Sequence, residues 1–373
     1  MDFIIKEIQS KEKNLNKKIV FKNNKLNTIV HTTSNIFYKD LTLFSKAFNK
    51  LFNYNNKNKN ILNVYIINNE NIYLKALNYM SDSTLIITKG IDDFNKATSN
   101  TSYAKCTNNH NYYLIKCYEY FIYVFDKRNK KCYMIIKNNK KVLTMINILI
   151  LTPYLMYGEL FAVHGGLVNK NNKNILINNS SLGGKTTFAI LFASNKWDII
   201  TEETTYITKK GEILPYNIRN YFNIRVGTYL NFYDFFKKKG LLIQEFIDLK
   251  EKSSNELFKL GKKEQQSIDF NKLGKSKKLK EKTITDSLKI SIQQDEQFSI
   301  KKISSLETVN SFLELSLAPT VLLFKELLDF NEINRSKRKN QLKKIFNNTK
   351  SYIITSGFDY KEHFNDILNK IYP

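Results

Sequence analysis

A chain of 373 residues that is 42% apolar and 13% aromatic has the apolar content for two or three packed units, which excludes disorder of the chain as a whole. Its formal net charge is +25, but the cations are 54 Lys against 5 Arg, and 47 residues are Asn. That is the bias of AT-rich coding, with charge spread along the whole chain, so nucleic acid is not the expected partner. Three cysteines, Cys106, Cys117 and Cys132, stand at spacings of 11 and 15 with no CxxC; they exclude a disulfide framework and a cysteine zinc site and fit a reducing cytoplasm.

In chain order, the start MDFIIKEIQSKEKNLNKK is charged from residue 2 and reads as no signal peptide. Short apolar runs follow, up to the polar tract Asn53–Asn60, a loop or linker. From Ile61 to about Lys140 the runs ILNVYII, STLIITKG, NYYLIKCYEYFIYVFD and CYMIIK predict a sheet with hairpins. The longest apolar stretch, Val142 to Val163, is interrupted by Asn147, Thr152, Pro153 and Glu159, short of the ~20 clean residues of a membrane helix. A buried helix over 141–157, kinked or ended by Pro153, running into a strand is expected instead, and no membrane partner.

Beyond it the pattern becomes α/β. FAVHGGLV is β-prone, Asn174–Asn178 reads as a buried strand, a glycine loop leads into a helix from near Gly184, and Trp197–Ile200 reads as a further strand. YIT and EIL flank the turn Lys209-Lys210-Gly211 as a hairpin. Lys250 to Lys282 is strongly hydrophilic and reads as a mobile or inserted lobe with a solvated charged surface. A strand LKISI, helices over 305–317 and near 322–330 separated by Pro319, a strand SYIITSG and a closing helix over 360–371 complete the chain. The expected fold class is α/β, an α+β mixed sheet with a smaller β-rich N-terminal region.

The chemistry is concentrated in residues 179–187, Asn179, Ser180, Ser181, Leu182, Gly183, Gly184, Lys185, Thr186 and Thr187, between a strand and a helix. That is the setting of a phosphate-binding loop. Backbone N–H groups and the helix N-terminus face the phosphates, Lys185 neutralises their oxygens, and Thr186 offers a hydroxyl to Mg²⁺. Asn179 stands where the motif has its first glycine, and Asn is the non-glycine residue best suited to left-handed backbone angles.

His164-Gly165-Gly166 lies 21 residues before Lys185, and Glu202-Glu203 lies 17 and 18 residues after it, following WDII. With FAVHGGLV, NILINNSSLGGKTTFAILFA and WDIITEETTYI, this arrangement resembles the HPr kinase/phosphorylase family, whose catalytic domain has a phosphoenolpyruvate-carboxykinase-like fold. Asn223-Ile224-Arg225-Val226-Gly227 is similar to that family's Glu-Ile-Arg-Gly segment. The match is strong over 161–208 and extends from about 101 to 373, so the expected division is an N-terminal region of 1–100 whose role stays open between substrate recognition and a partner surface, and a catalytic domain of 101–373 carrying the lobe at about 250–282.

The resemblance implies a cytoplasmic kinase that moves the γ-phosphate of ATP or GTP, with Mg²⁺, to a Ser or Thr hydroxyl of a protein or ribosomal peptide. It implies Glu202 as proton acceptor, Glu203 beside it sharing the metal with Thr186, His164 holding the geometry, and Arg225 contacting phosphate. A homo-oligomer is compatible with it. Arg219 stands near Arg225 and is weighed evenly between phosphate contact and a structural ion pair. Three departures matter: Asn179 for glycine, the Glu pair where the family has Asp-Asp, and Asn223 where an acid is expected. They keep open a catalytically inactive nucleotide-binding regulatory protein.

Overall fold

The computed structural model describes residues 2–23, 26–52, 61–81, 101–105, 112–117, 121–126, 129–137, 142–156, 158–178, 183–217, 221–260, 264–273, 279–293, 296–312 and 335–372. These form two compact units that divide after Glu159. Both are mixtures of helices with sheets in which parallel and antiparallel pairs coexist, the expected α/β class. The runs 53–60, 83–90 and 322–330 lie outside the described residues.

The first unit is built from α1 (Asp2–Glu12), β1 (Lys17–Phe21), β2 (Asn27–Thr32), α2 (Asn35–Leu51), β3 (Ile61–Asn68), α3 (Glu70–Ser81), β4 (Thr101–Lys105), β5 (Tyr112–Cys117), β6 (Phe121–Asp126), β7 (Lys131–Ile136) and α4 (Val142–Met156). Its seven strands lie in the order β1-β2-β3-β7-β6-β5-β4. The pairs β2–β3 and β3–β7 are parallel; β4 to β7 are successive hairpins. α2 starts where the Ser34 hydroxyl accepts from the Phe37 N–H, 3.3 Å away, and buries Leu41, Phe44 and Phe48 at helical spacing. The Glu12 carboxylate, at the end of α1, accepts from Lys131 Nζ at 2.8 Å and from the Tyr133 hydroxyl, fastening α1 to β7. α4 runs through Pro153 and stops at Gly158, whose φ is +65°. There Gly158 N–H reaches Leu155 O at 3.1 Å and Glu159 N–H reaches Tyr154 O at 3.0 Å, a Schellman closure.

Two expectations are corrected here. Because β3 pairs with β7 from Asn63↔Lys131 to Asn68↔Ile136, strands 101–136 belong to the sheet of the first unit, and a boundary at residue 100 would cut it. The N-terminal region is also not predominantly β, since α1, α2 and α3 alternate with its strands.

The second unit contains β8 (Leu160–Lys170), β9 (Lys173–Asn178), α5 (Lys185–Ser194), β10 (Asp198–Thr201), β11 (Thr204–Thr208), β12 (Tyr221–Arg225), α6 (Val226–Asn231), α7 (Tyr233–Lys238), α8 (Gln244–Ile247), α9 (Ser254–Leu260), β13 (Gln265–Asp269), α10 (Phe270–Leu273), β14 (Asp286–Ile292), β15 (Ser299–Ile303), α11 (Ser305–Phe312), α12 (Arg335–Phe346), β16 (Lys350–Ser356) and α13 (Phe364–Ile371). The main sheet has the order β10-β8-β9-β14-β16-β15, with β11 also on β8. Only β9–β14 and β14–β16 are parallel. One face packs α5 through Phe188, Ile190 and Phe192 against Val168, Ile175 and Ile177. The other packs Phe161, Val163, Leu167 and Leu176 against Val309, Leu342 and Phe346. α5 ends with Lys196 at φ +67°, where Trp197 N–H closes on Phe192 O at 3.1 Å. The hairpin after β11 turns at Gly211, φ +85°.

The hydrophilic segment 250–282 is not a loose lobe in its described residues. It supplies α9, β13 and α10, and it buries Leu257, Ile268, Phe270 and Leu273 in the same core as α5. The closing helix starts at Phe364 rather than at Tyr360.

Phe188 is fully buried, its ring 5.8 Å from that of Tyr360, and it sets α5 on the sheet. Phe188→Ala is expected to destabilise the second unit by ~3–5 kcal/mol, measured as a lower urea midpoint; a loss under ~1 kcal/mol would mean that α5 is anchored elsewhere.

Candidate functional site

β8 brings the predicted residues together. Over Leu160–His164 it pairs with β11, and over Leu167–Asn169 with β10, so its edge partner changes at Gly165-Gly166. The turn between β10 and β11, which carries Glu202 and Glu203, therefore faces the two glycines. The fit is too close for side chains. A Cβ on Gly166 would lie 2.7 Å from the Glu202 carbonyl oxygen, and one on Gly165 would lie 2.8 Å from the Ile177 carbonyl oxygen.

A buried chain of hydroxyls locks the turn in place. Leu167 N–H donates to Thr201 Oγ1 at 3.1 Å, Thr201 Oγ1 lies 2.7 Å from Thr205 Oγ1, and Thr205 Oγ1 donates to Gly165 O at 2.9 Å. With its far end fixed as donor, the chain has one consistent direction, from Leu167 N–H through both hydroxyls to Gly165 O. Glu202 N–H adds a bond to Asn217 Oδ1 at 3.2 Å.

Gly184 precedes α5 at φ +94°, where a Cβ would meet Ile292 at 2.5 Å, so glycine is required both by the backbone angle and by the space. Lys185 follows, and its Nζ lies 2.7 Å from His164 Nε2. An ammonium has no lone pair. While Lys185 is charged, Nε2 is the acceptor and His164 is neutral, with its proton on Nδ1. Burial lowers the Lys185 pKa to about 8, opposed by the charges of Glu203 and then Glu202 and reinforced by that of Arg225. Burial likewise lowers Arg225, which stays charged.

Thr186 Oγ1 faces Glu202 Oε1 at 3.5 Å, and Thr187 Oγ1 lies 2.8 Å from Thr228 Oγ1, tying the first turn of α5 to α6. The Thr186 hydroxyl thus meets the buried Glu202, while Glu203, the other member of the pair, is half-buried and its charge acts on Lys185. His164, Gly184, Lys185, Thr186, Glu202, Glu203 and Arg225 are gathered at one place. Asn179, Ser180, Ser181 and Leu182 lie outside the described residues, as does Arg219. Sequence reasoning missed Thr201, Thr205, Asn217 and Thr228; the two threonines flanking the acids in TEETT were the available signal.

Thr186 and Glu202 place two hard oxygen donors on facing elements, which suits Mg²⁺ completed by phosphate and water. Among the described residues no group of three or more His, Cys, Asp or Glu could hold a metal by itself, and no helix is long and apolar enough to cross a membrane. No family model matches the chain, and no curated protein matches it significantly in sequence.

Two outcomes follow. Lys185 must be charged to hold an anion, so if the site takes a polyphosphate, affinity for added ATP should be flat between about pH 7 and 7.5, where the phosphates are already ionised, and fall toward about tenfold per pH unit above pH 8, read by calorimetry. Lys185→Arg should flatten the profile, and a flat wild-type profile to pH 9.5 would remove Lys185 as the anion-binding cation. Gly166→Ala should cost ~1–3 kcal/mol of stability and weaken ATP binding together with it, because the added methyl displaces the Glu202 turn; unchanged values for both would show that the close approach is dispensable.

Proposed function

We propose that the chain is a nucleotide-dependent kinase with a phosphoenolpyruvate-carboxykinase-like catalytic unit, similar to the HPr kinase/phosphorylase family, acting on a Ser or Thr hydroxyl of a protein or ribosomal peptide. The observation that carries the reading is the meeting of a buried Lys185, at the glycine-led start of α5, with two carboxylates on the turn opposite. A simple anion-binding site has no use for two carboxylates beside its lysine. Phosphoryl transfer needs them, for metal and for proton.

Lys185 and Arg225 hold the phosphate oxygens of ATP or GTP, and the start of α5 directs backbone N–H groups at them. Thr186 and Glu202 would hold Mg²⁺, which would supply charge neutralisation on the transferring phosphate when bound. His164 keeps Lys185 in place without cancelling its charge. Glu203, the more exposed carboxylate, takes the acceptor proton. The acceptor oxygen bonds to the γ-phosphorus as the bond from phosphorus to the β–γ bridging oxygen breaks, and the nucleoside diphosphate leaves.

A second reading, a nucleotide-binding regulator without transfer, is favoured by Asn223. Its Oδ1 accepts from Ser267 Oγ at 2.8 Å, where the family pattern has a carboxylate.

Transfer of label from γ-labelled ATP with Mg²⁺ into host-lysate proteins and peptides separates the two. A discrete labelled acceptor is expected, lost in Lys185→Ala. Glu203→Gln should reduce transfer by at least about a hundredfold with ATP affinity kept, whereas Glu202→Gln should raise the Mg²⁺ concentration required. ATP binding without any labelled acceptor would favour the regulator.

A further inference from the structure

β12 and β13 form a two-stranded ribbon apart from the main sheet. Its inner face, Phe222, Ile224 and Ile268, is buried in the core under α5. The outward face presents three cross-strand pairs in register, Arg225 opposite Gln265, Asn223 opposite Ser267 and Tyr221 opposite Asp269. Arg225 is the end nearest the phosphate lysine, close enough for its charge to act on Lys185. At ~3.4 Å per residue the three pairs extend about 14 Å away from it.

The chemistry of this strip differs from the rest of the surface. In a chain with 54 Lys the six residues of the face include none. One cation, Arg225, lies at the site end and one acid, Asp269, at the far end, with neutral amide and hydroxyl groups between them. The central pair is specific in what it offers. Ser267 Oγ spends its proton on Asn223 Oδ1 at 2.8 Å, which leaves Asn223 Nδ2 as donor beside Ser267 Oγ as acceptor. A donor and an acceptor side by side match the C=O and N–H of one residue in an extended chain, which point to the same side. A nucleoside needs a concave, largely apolar pocket, whereas this face is a polar ribbon, half-buried along β12 and exposed along β13.

We propose that the strip binds the phosphate acceptor as an extended polypeptide segment, its backbone laid along the outward face of β12 and β13 with Asn223 and Ser267 reading the C=O and N–H of one residue. The segment enters past Tyr221 and Asp269 and reaches the phosphate at Arg225. Continuity with the Lys185 site and the neutral, backbone-matching centre select this occupant. The proposal rests on the kinase reading for its name of acceptor, while the binding itself does not require turnover.

The test uses the full chain, a fluorescein-labelled pool of Ser-containing dodecapeptides and Mg-ATP. Peptide binding is read by anisotropy, ATP binding by calorimetry and transfer by label. Ser267→Leu and the double variant Gln265→Ala/Ser267→Ala change exposed side chains only. Both are expected to weaken peptide binding, and to raise the peptide KM, by about tenfold, with ATP affinity within about twofold of wild type. Peptide binding unchanged in both variants, or no binding of the pool by the wild type, would overturn the proposal. A loss of ATP affinity matching the loss of peptide affinity would overturn it too and make the strip a nucleoside site. Wild-type binding of the pool that both variants lose, without transfer of label, would support the strip while refuting the kinase reading.

Discussion

Everything at the site depends on two backbones approaching where no Cβ is permitted. β8 passes the Glu202 carbonyl at Gly166 and the Ile177 carbonyl at Gly165, which puts the carboxylate turn on one side of β8 and the strand leading to the glycine loop on the other. A larger residue at either position would part the acids from Lys185. The hydroxyl chain through Thr201 and Thr205 is the consequence. Where the strand pairing of β8 changes hands, its backbone polar groups still need partners, and the two threonines provide them from inside the turn that bears the acids. The elements that satisfy the backbone and the elements that carry the chemistry are consecutive residues.

The electrostatics follow from that closeness. Taking an ammonium out of water is expensive, and the nearby carboxylates offset part of the cost for Lys185. One hydrogen-bond partner, at 2.7 Å, is an imidazole, which satisfies a donor without adding negative charge. Lys185 and Arg225 together balance Glu202 and Glu203. A polyphosphate brings several further negative charges to this balanced set, and the repulsion from the two carboxylates is relieved only by a divalent cation between them and the phosphates. On the proposed kinase reading a metal would follow from the charge count, and the Thr186 and Glu202 oxygens, 3.5 Å apart, would share it.

The parts of this architecture that were legible in the sequence are those whose signal is local. Gly184-Lys185-Thr186 has a fixed spacing, and the apolar run before it and the helical run after it identify its context, so β9 and the start of α5 could be placed. Glu202-Glu203 could be placed because a short strand precedes it. The division of the chain was not legible, since it depends on Asn63 pairing with Lys131, a contact between residues far apart in sequence with no periodicity to announce it. α3 was hidden by Ile72 and Tyr73, residue types that favour strands, until packing of Ile72, Tyr73 and Ala76 against the sheet decided for helix. The segment 250–282 was hidden by its average. Its lysines dominate the composition, but Leu257, Ile268, Phe270 and Leu273 are enough to hold it in the core. The unequal burial of Glu202 and Glu203 could not be read from adjacent identical residues; the fold sets it, with Glu202 buried toward the Thr186 hydroxyl.

The sheet explains why the chemistry settles at this edge. β9, β14 and β16 run parallel, so their carboxyl ends share one crest, and the side chain of Ile292 at the end of β14 fills the space a side chain on Gly184 would need. In a wholly parallel sheet a crevice opens at such a crest where successive connections leave to opposite faces. Here β8 runs antiparallel to β9, and the crest is interrupted between them. His164 arrives on β8 from the opposite direction, past the end of β9, and meets Lys185 at the start of α5 at the same height. The glycines on β8 then admit a third element, the acidic turn, to that level. Three chain segments converge at one point because the sheet changes direction there, and each contributes one kind of group: a neutral imidazole, a cation at a helix start, and a pair of carboxylates.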